Sequence, residues 1–434
     1  MRTIARRHYH RVPETWQAPW YGWQRVISPR DRTVLRDLAF RYLDICHADA
    51  QRERRDLWRR HNSLKRTRPL IYVRAFAWPE MPESKCVCEQ AFLRTYEDFF
   101  RHALFWDSLR DDSIFEPWVT LDAICITPPE GVWGLPTRWI VGTDPRGSRR
   151  MDPPIVRPED AHRLVPPHHR IDEAETQRRA AMLDDALGGA IPIVVSRAPC
   201  YRAWDADIST QLAQLRGLDQ IMIDMLERPE WLHGVLAFMR DGIVRVHEEA
   251  EQAGDWSLAA HENQAMPYAE ELDDPAPDGR SVTRDKLWWF CASQETTLVG
   301  PDLFDEFMLQ YQRPIIEEFG LAAYGCCEDL TLKIPLLRRI PNLRRIAVSP
   351  MANVAKCADA IGQDYVLSYR PSPSDMVGYG FDPERIRRIL RRDLAACREC
   401  HTDITLKDVE TVQGDPTRVR DWVRITREVI EEML

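Results

Sequence analysis

The sequence predicts an α/β protein whose parallel strands form a (β/α)8 barrel of the TIM type, with an N-terminal helical extension and a long excursion rich in proline and glycine. Three observations lead to this prediction. Short apolar or β-branched runs alternate with longer helical segments from about residue 190 onward. Glycine is sparse, with 19 residues in 434. No glycine-rich phosphate-binding loop follows any of the predicted strands.

Composition restricts the class of protein further. The chain has 59 Lys and Arg residues against 68 Asp and Glu residues, a net charge of −9, and 44% of its residues are hydrophobic. An acidic chain is not expected to bind nucleic acid or anionic membranes, and this hydrophobic fraction argues against global disorder. We find no secretory signal and no apolar stretch long enough to span a bilayer, so we expect a cytoplasmic protein with 11 reduced cysteines.

The N-terminal part predicts helices that pack on the barrel. Residues 31–66 contain neither glycine nor proline, and their apolar residues follow helical spacing. The charged stretch within them mixes both signs, which is typical of a solvated helix face. We therefore predict a helical extension over residues 1–115, followed by the barrel over residues 116–434.

Two segments of the predicted barrel are expected to leave it as loops. Residues 128–172 are rich in Pro, Gly, Arg and Asp and predict a long excursion, with short strands near Val132 and Trp139. Residues 273–285 predict a second loop on the same grounds.

The remaining elements alternate between strand and helix, which is the order expected of parallel strands with helical crossovers. The predicted strands are 191–196, 258–261, 287–292, 321–324, 345–348, 365–367 and 404–406. The predicted helices are 208–226, 229–253, 301–319, one ending near 339, one ending near 361, 383–400 and 416–433.

Two adjacent cysteines are the most specific chemical feature of the chain. Cys326 and Cys327 come directly after strand 321–324 and are followed by Glu328. Thiols beside a carboxylate at a strand end suit a borderline-soft cation such as Zn²⁺. Small cysteines also pack well at strand ends, so both a metal or thiol role and a purely structural role stay open.

Polar residues at the other strand ends complete the predicted site, because active sites of barrels lie where each strand meets its following loop. The candidate metal ligands are Cys326, Cys327, His261 and Glu410, and the candidate catalytic carboxylates are Glu295 and Glu328. The candidate substrate-binding residues are Asn263, Gln294, Arg370 and Lys407, of which the two cations can bind a carboxylate or a phosphate.

Three stretches of this chain resemble the uroporphyrinogen decarboxylase superfamily. Residues 300–320 read GPDLFDEFMLQYQRPIIEEFG, residues 324–330 read YGCCEDL, and residues 340–350 read IPNLRRIAVSP. The superfamily has a similar segment before a strand that ends in a short H-x-C motif. The resemblance extends over roughly residues 190–434. It implies a (β/α)8 barrel and one of two activities, decarboxylation of porphyrinogens or zinc-dependent methyl transfer.

The resemblance can be followed residue by residue around the implied zinc site. Cys327 matches the cysteine of the motif, whereas Gly325 stands where the family has histidine. Glu410 lies near the last strand, where the family has a second cysteine, so Cys326 and Glu410 are the implied replacements. The R-Q-A-G-R motif of the decarboxylases is absent, which favours the methyltransferase branch.

We therefore expect a methyltransferase that moves a methyl group between a small methylated ether or amine and a corrinoid protein or a thiol. The resemblance implies zinc at the barrel mouth and a corrinoid carried by a partner protein. Two alternatives stay open: a decarboxylase of a polycarboxylate such as a porphyrinogen, and a non-catalytic barrel that binds a small molecule. A homodimer is also possible on the sequence, whereas nucleic acid and membranes are not expected partners.

Overall fold

The protein is an α/β fold, seen in a computed structural model that describes residues 27–74, 77–141 and 149–433. The strands of these ranges are β1 Leu70–Val73, β2 Val119–Asp122, β3 Arg138–Val141, β4 Arg149–Asp152, β5 Ile193–Ser196, β6 Trp288–Cys291, β7 Leu321–Tyr324, β8 Leu343–Val348, β9 Val366–Tyr369 and β10 His401–Leu406. Six of them form a parallel sheet in the order β1-β10-β9-β8-β7-β6. β2 and β5 form a separate parallel pair, and β3 and β4 form an antiparallel ribbon.

This topology confirms the α/β class with parallel strands. The hydrogen bonds between the described strands form two separate parallel sheets and one antiparallel ribbon. β1 lies inside the predicted extension over residues 1–115, and it pairs with β10 near the other end of the chain. The N-terminal segment therefore contributes a strand to the main sheet as well as helices. The boundary between residues 115 and 116 stays a prediction.

Helices cover the sheet and connect its strands. The α-helices of the described ranges are α1 Pro29–Cys46, α2 Asp49–Asn62, α3 Ala91–Asp107, α4 Glu173–Leu187, α5 Ile208–Arg216, α6 Leu218–Glu227, α7 Pro229–Gln252, α8 Pro301–Phe304, α9 Gln310–Ile316, α10 Ile334–Leu337, α11 Val354–Ile361, α12 Pro373–Met376, α13 Pro383–Ala396 and α14 Thr417–Met433. None of the described helices has both the length and the apolar character needed to cross a bilayer.

The strands of the main sheet are buried on both faces, which explains their apolar sequences. In β6, Trp288 and Phe290 belong to a small cluster on one face of the sheet. Trp289 points the other way, where its ring stacks on Phe319 with centroids 4.5 Å apart, within the large core cluster beneath the helices. The period of two along a strand therefore sends the doubled tryptophans into two different cores.

Two predicted helices are interrupted, and each interruption has a local cause. The segment 208–226 divides at Gly217, whose φ of +88° is a conformation that glycine adopts without steric cost. The segment 301–319 contains a π-helical stretch, Asp305–Leu309. Pro314 follows it inside α9 and supplies no N–H to the preceding turn, which helps to explain the irregular bonding.

The predicted strand over 258–261 is wrong. Leu258–Ala260 forms a 3-10 helix, and the preceding Ser257 makes only an isolated antiparallel bridge to Ser281. The short strand expected near Val132 is also wrong, since the antiparallel ribbon begins at Arg138 and includes Trp139. A short apolar run does not distinguish a strand from one helical turn.

A buried ionic network joins the N-terminal helices to the sheet. Arg345 on β8 lies with its Nη2 2.6 Å from Oδ2 of Asp403 on β10, and both side chains are almost fully buried. Ser368 donates a hydrogen bond to the other carboxylate oxygen at 3.0 Å. His61 at the end of α2 lies 3.4 Å from the same aspartate. These contacts connect α2 to three neighbouring strands.

Candidate active site at the strand ends

The carboxyl ends of three strands of the main sheet bring four of the predicted residues together. Cys326 and Cys327 follow β7, Arg370 follows β9 and Lys407 follows β10. Lys407 Nζ lies 3.3 Å from the sulfur of Cys326 and 2.9 Å from the sulfur of Cys327. Arg370 Nη1 donates to the backbone carbonyl of Cys326 at 2.9 Å. The result is a thiol pair beside two buried cations.

The electrostatics of this group favour one thiolate. The two sulfurs lie 3.7 Å apart. The hydrogen bond from Cys327, together with the charges of Lys407, Arg370 and Arg74, holds the pKa of Cys326 well below its usual value, although burial opposes this. The same shared hydrogen bond raises the pKa of Cys327. The pair therefore favours a single thiolate, stabilised by the ammonium of Lys407, with one proton shared between the two sulfurs.

Lys407 supplies a positive charge that complements the thiolate of the cysteine pair. Lys407 is buried, and burial by itself lowers the pKa of an ammonium group. Burial is the largest single effect, but the charges of Cys326, Asp408 and Cys327 together outweigh it and raise the pKa of Lys407. Asp408 adds a second anionic contact, at 2.6 Å from Nζ. Lys407 is therefore protonated and positively charged where it contacts the two sulfurs.

Arg74 also reaches this site, although it is not among the residues predicted from the sequence. It follows β1 directly, and its Nη1 donates to Oε1 of Gln264 at 2.6 Å. A sequence signal for Arg74 does exist, because the four residues before it, Leu70–Val73, form an apolar run typical of a strand. Two buried donors near these arginines, Nε of Arg370 and Nε2 of Gln264, have no acceptor among the described residues. Buried donors of this kind favour a ligand rich in acceptor oxygens.

Glu328 stabilises the thiol loop, the loop of residues 325–330 that carries the two thiols. It is buried, and its carboxylate accepts the backbone N–H of Cys326 at 2.7 Å and that of Ser293 at 2.8 Å. Burial and the charge of Cys326 raise the pKa of Glu328. Since both oxygens are engaged by backbone donors, the structure places Glu328 as a positioning residue for the loop.

Three other predicted residues are engaged in local contacts. Glu295 accepts hydrogen bonds from the hydroxyls of Ser209 at 3.0 Å and Thr210 at 2.9 Å, at the start of α5. Gln294 donates to Glu295 at 3.0 Å. Asn263 accepts the N–H of Ala265 at 2.9 Å within its own turn. These hydrogen bonds tie Glu295 to α5, keep Gln294 beside Glu295 and Asn263 within its turn, and do not involve the thiol pair.

The structure does not bring His261 or Glu410 to the thiols. His261 Nδ1 lies 3.2 Å from the backbone N of Trp288, the first residue of β6, whereas Cys326 follows the last residue of the parallel neighbour β7. A four-residue strand spans about 10 Å, so His261 lies near the amino ends of these strands, whereas the thiols lie beyond their carboxyl ends. Burial lowers its pKa to about 4. Glu410 is exposed, three residues beyond Lys407.

The residues at the thiol pair do not fit the zinc site that the resemblance implies. Within the described ranges, no group of three or more His, Cys, Asp or Glu side chains is arranged to hold a metal ion. The ammonium of Lys407 lies against both sulfurs and competes for the lone pairs that a metal needs. At the family's histidine position, Gly325 has a φ of +98°, and a Cβ there would lie 2.6 Å from Leu330 Cδ1.

Comparisons with known proteins add a structural likeness. No family model matches the chain, and no curated protein matches it. Among solved structures it is similar to a methyltransferase from Methanosarcina mazei, with 11% sequence identity and a TM-score of 0.49 over 86% of this chain and 98% of that chain.

Gly325→Ala is expected to disturb the thiol loop. The left-handed backbone and the contacts with Leu330 and Ala347 leave no room for a methyl group, so we expect a loss of about 1–3 kcal/mol in unfolding free energy. Gly189 is the control, because it also has a positive φ but has nothing within 4 Å of a Cβ. Urea unfolding of both variants measures the difference. Equal losses would show that packing around Gly325 is not tight.

Proposed function

We propose that the protein is a methyltransferase that acts on a small anionic substrate at the carboxyl ends of its parallel strands. The observation that carries the proposal is the contact of Lys407 Nζ with the sulfurs of Cys326 and Cys327, at 3.3 Å and 2.9 Å. The thiolate is the nucleophilic form of cysteine, and an adjacent ammonium stabilises it at neutral pH. A thiolate is also a suitable acceptor for a methyl group.

The proposal includes closure of the strands into a barrel, which would gather the strand ends around one mouth. Two contacts outside the ladders support closure. The backbone N–H of Asp112, in the chain that leads into β2, donates to the carbonyl of Ile71 on β1 at 2.8 Å. The N–H of Glu262 donates to the carbonyl of Trp288 on β6 at 3.2 Å. In the proposed barrel, the β2 and β5 pair therefore belongs between the two edges of the main sheet.

The cations define the substrate class. Arg370 and Lys407 are buried, and Arg74 contributes a third positive charge near Cys326. Buried cations need anionic or acceptor partners, and the thiolate, Asp408 and Glu328 supply negative charge here but leave Nε of Arg370 and Nε2 of Gln264 without an acceptor among the described residues. A substrate with a carboxylate would accept hydrogen bonds from these unpaired donors of Arg370 and Gln264.

The proposed reaction is a direct displacement at the methyl carbon. The thiolate of Cys326 forms a bond to this carbon as the bond from carbon to the leaving oxygen or nitrogen breaks, and the leaving atom keeps the electron pair. Cys327 donates its proton to that atom. The products are the demethylated substrate and a methylated Cys326. A small thiol, or a partner protein that carries a corrinoid, is the proposed final acceptor.

Isotope transfer tests this function. The protein is incubated, without an acceptor, with deuteromethyl ethers and amines that carry a carboxylate, and peptides are then mapped by mass spectrometry. We expect label on Cys326, and we expect Cys326→Ser to abolish it. Cys86→Ser is the control, because Cys86 is partly buried and its sulfur contacts only the carbonyl of Ser84 among the described hydrogen bonds. A full panel that leaves Cys326 unlabelled would reject this mechanism.

Decarboxylation is the second candidate, and the cation group of Arg74, Arg370 and Lys407 is the observation that favours it. These residues would hold carboxylates of a polycarboxylate such as a porphyrinogen. Release of carbon dioxide, without methylation of Cys326, would support this activity. A protein that performs neither reaction but binds carboxylates in an Arg370-dependent way would be a binding protein on the same fold.

A further inference from the structure

We propose that Cys326 and Cys327 form a reversible redox pair, which a hydroperoxide converts into a disulfide between the two adjacent residues. The proposal rests on the distance between the sulfurs, on the access of one of them to solvent, and on the cation that contacts both. It does not depend on the proposed methyl transfer, because it concerns only the chemistry of the two thiols.

Disulfide formation requires the two sulfurs to approach each other. The sulfurs lie 3.7 Å apart, and a disulfide bond needs about 2 Å. Cys327 is exposed, so its side chain can rotate toward Cys326, and the backbone between the two adjacent residues adjusts to close the ring that the disulfide forms. Cys326 is buried and is held by Glu328 through its backbone N–H. One sulfur is thus fixed and the other can approach it.

The surroundings of this pair differ from those of the other cysteines. All 11 cysteines lie in the described ranges, and Cys327 alone is exposed. Lys407 contacts both sulfurs of the pair. By contrast, burial raises the pKa of Cys86 to about 12 and that of Cys400 to about 11. Oxidation follows thiolate character and access, so the adjacent pair is expected to react first.

The oxidation is a balanced two-electron reaction. The thiolate of the pair attacks one peroxide oxygen, the oxygen–oxygen bond breaks, and the departing alkoxide takes a proton from water to become an alcohol. The sulfenic acid formed is then attacked by the second sulfur, which gives the disulfide and releases water. The two cysteines lose two electrons and the peroxide gains them. A thiol reductant reverses the change.

Oxidation would also change the charge of the site. The disulfide removes the negative charge that faces Lys407, whose remaining anionic contact is Asp408 at 2.6 Å. The nucleophile is lost while the cations stay in place. The oxidised protein is therefore expected to keep its affinity for small carboxylates and to lose reactivity toward alkylating agents at this loop.

Peptide mapping after peroxide treatment tests the proposal. The full chain is treated with one equivalent of hydrogen peroxide, alkylated, digested and analysed by mass spectrometry. We expect the peptide with Cys326 and Cys327 to lose two hydrogen atoms and to resist alkylation until a reductant is added. Sulfinic or sulfonic acid on Cys327, with Cys326 still free to alkylate, would overturn the proposal, as would earlier oxidation of another cysteine pair.

Two variants keep the test informative. Cys327→Ser removes the second sulfur, so oxidation should stop at a sulfenic acid on Cys326 that dimedone traps. Lys407→Met should slow disulfide formation about tenfold or more, whereas Lys356→Met, at an exposed position on α11, should not change it. Equal rates in the two lysine variants would show that Lys407 does not activate the pair. These experiments contain no methyl donor, so they stay separate from the test of methyl transfer.

Discussion

Asp403→Asn is expected to lower the free energy of unfolding by about 3–5 kcal/mol, because it removes one partner of a buried ion pair. Arg345 Nη2 lies 2.6 Å from Asp403 Oδ2, and the two side chains are 2% and 0% exposed. Two Arg345 nitrogens, Nε and Nη1, have no acceptor among the described residues. Without the carboxylate charge, the guanidinium is left buried and uncompensated. Denaturant unfolding monitored by circular dichroism measures the loss.

A surface ion pair provides the matched control. Arg391 and Glu432 lie 2.8 Å apart, but their side chains are 49% and 46% exposed. Exposed pairs contribute about 0–1 kcal/mol, so Glu432→Gln should have little effect. If Glu432→Gln and Asp403→Asn were equally destabilising, the loss could not be assigned to burial of the charge.

The same residue predicts how stability depends on pH. Burial opposes ionisation of Asp403, but Arg345 and His61 outweigh it and lower its pKa to about 2. The unfolded chain has the ordinary value of about 4 for this group. The stabilisation from Asp403 is therefore complete above pH about 4 and is lost as the pH falls toward about 2. Asp403→Asn should flatten this part of the stability profile, and an unchanged acid limb would contradict the assignment.

Lys407→Met is expected to make Cys326 much less reactive at neutral pH. The hydrogen bond from Cys327 and the charge of Lys407 both hold the pKa of Cys326 below its usual value, while burial works in the other direction. Removing the ammonium leaves burial opposed by fewer charges, so the alkylation rate at neutral pH should fall about tenfold for each pKa unit gained. Iodoacetamide labelling across a pH series, mapped to Cys326, measures the shift of the midpoint.

Two further variants separate charge from general damage to the loop. Lys356→Met removes an exposed lysine from α11 and should leave the pH midpoint unchanged. Arg370→Met removes a charge that ranks below Lys407 in its effect on Cys326, so its shift should be smaller and in the same direction. A Lys407→Met protein that alkylates like the unmodified protein would show that Cys326 is not a lysine-stabilised thiolate.

The extent to which the site is predictable from the sequence depends on the strand that carries each residue. Cys327, Arg370 and Lys407 follow apolar runs that are strands in the structure, so the rule that function lies at strand ends applies to them. His261 follows a run that is one turn of 3-10 helix, and it lies near the amino end of β6, away from the thiols. The rule therefore identifies site residues only where the strand itself is predicted correctly.

Sequence alone determined the class of the fold and the most reactive feature of the site. The alternation of short apolar runs with amphipathic helices is a local property of the chain, and it is sufficient to predict a parallel α/β protein. The adjacent cysteines after one of these runs are equally visible without a structure. Both features depend on residues that are close together along the chain.

Only the tertiary structure decided which strand ends meet. Lys407 lies about 80 residues beyond the cysteines that it contacts, and Arg74 joins them because β1 pairs with β10 rather than with a strand near it in sequence. Sheet order sets these distances, and the distances determine which cations surround the two thiols. Of the predicted metal ligands, the two cysteines lie together, whereas His261 contacts the first residue of β6, away from the carboxyl end of β7 that carries them.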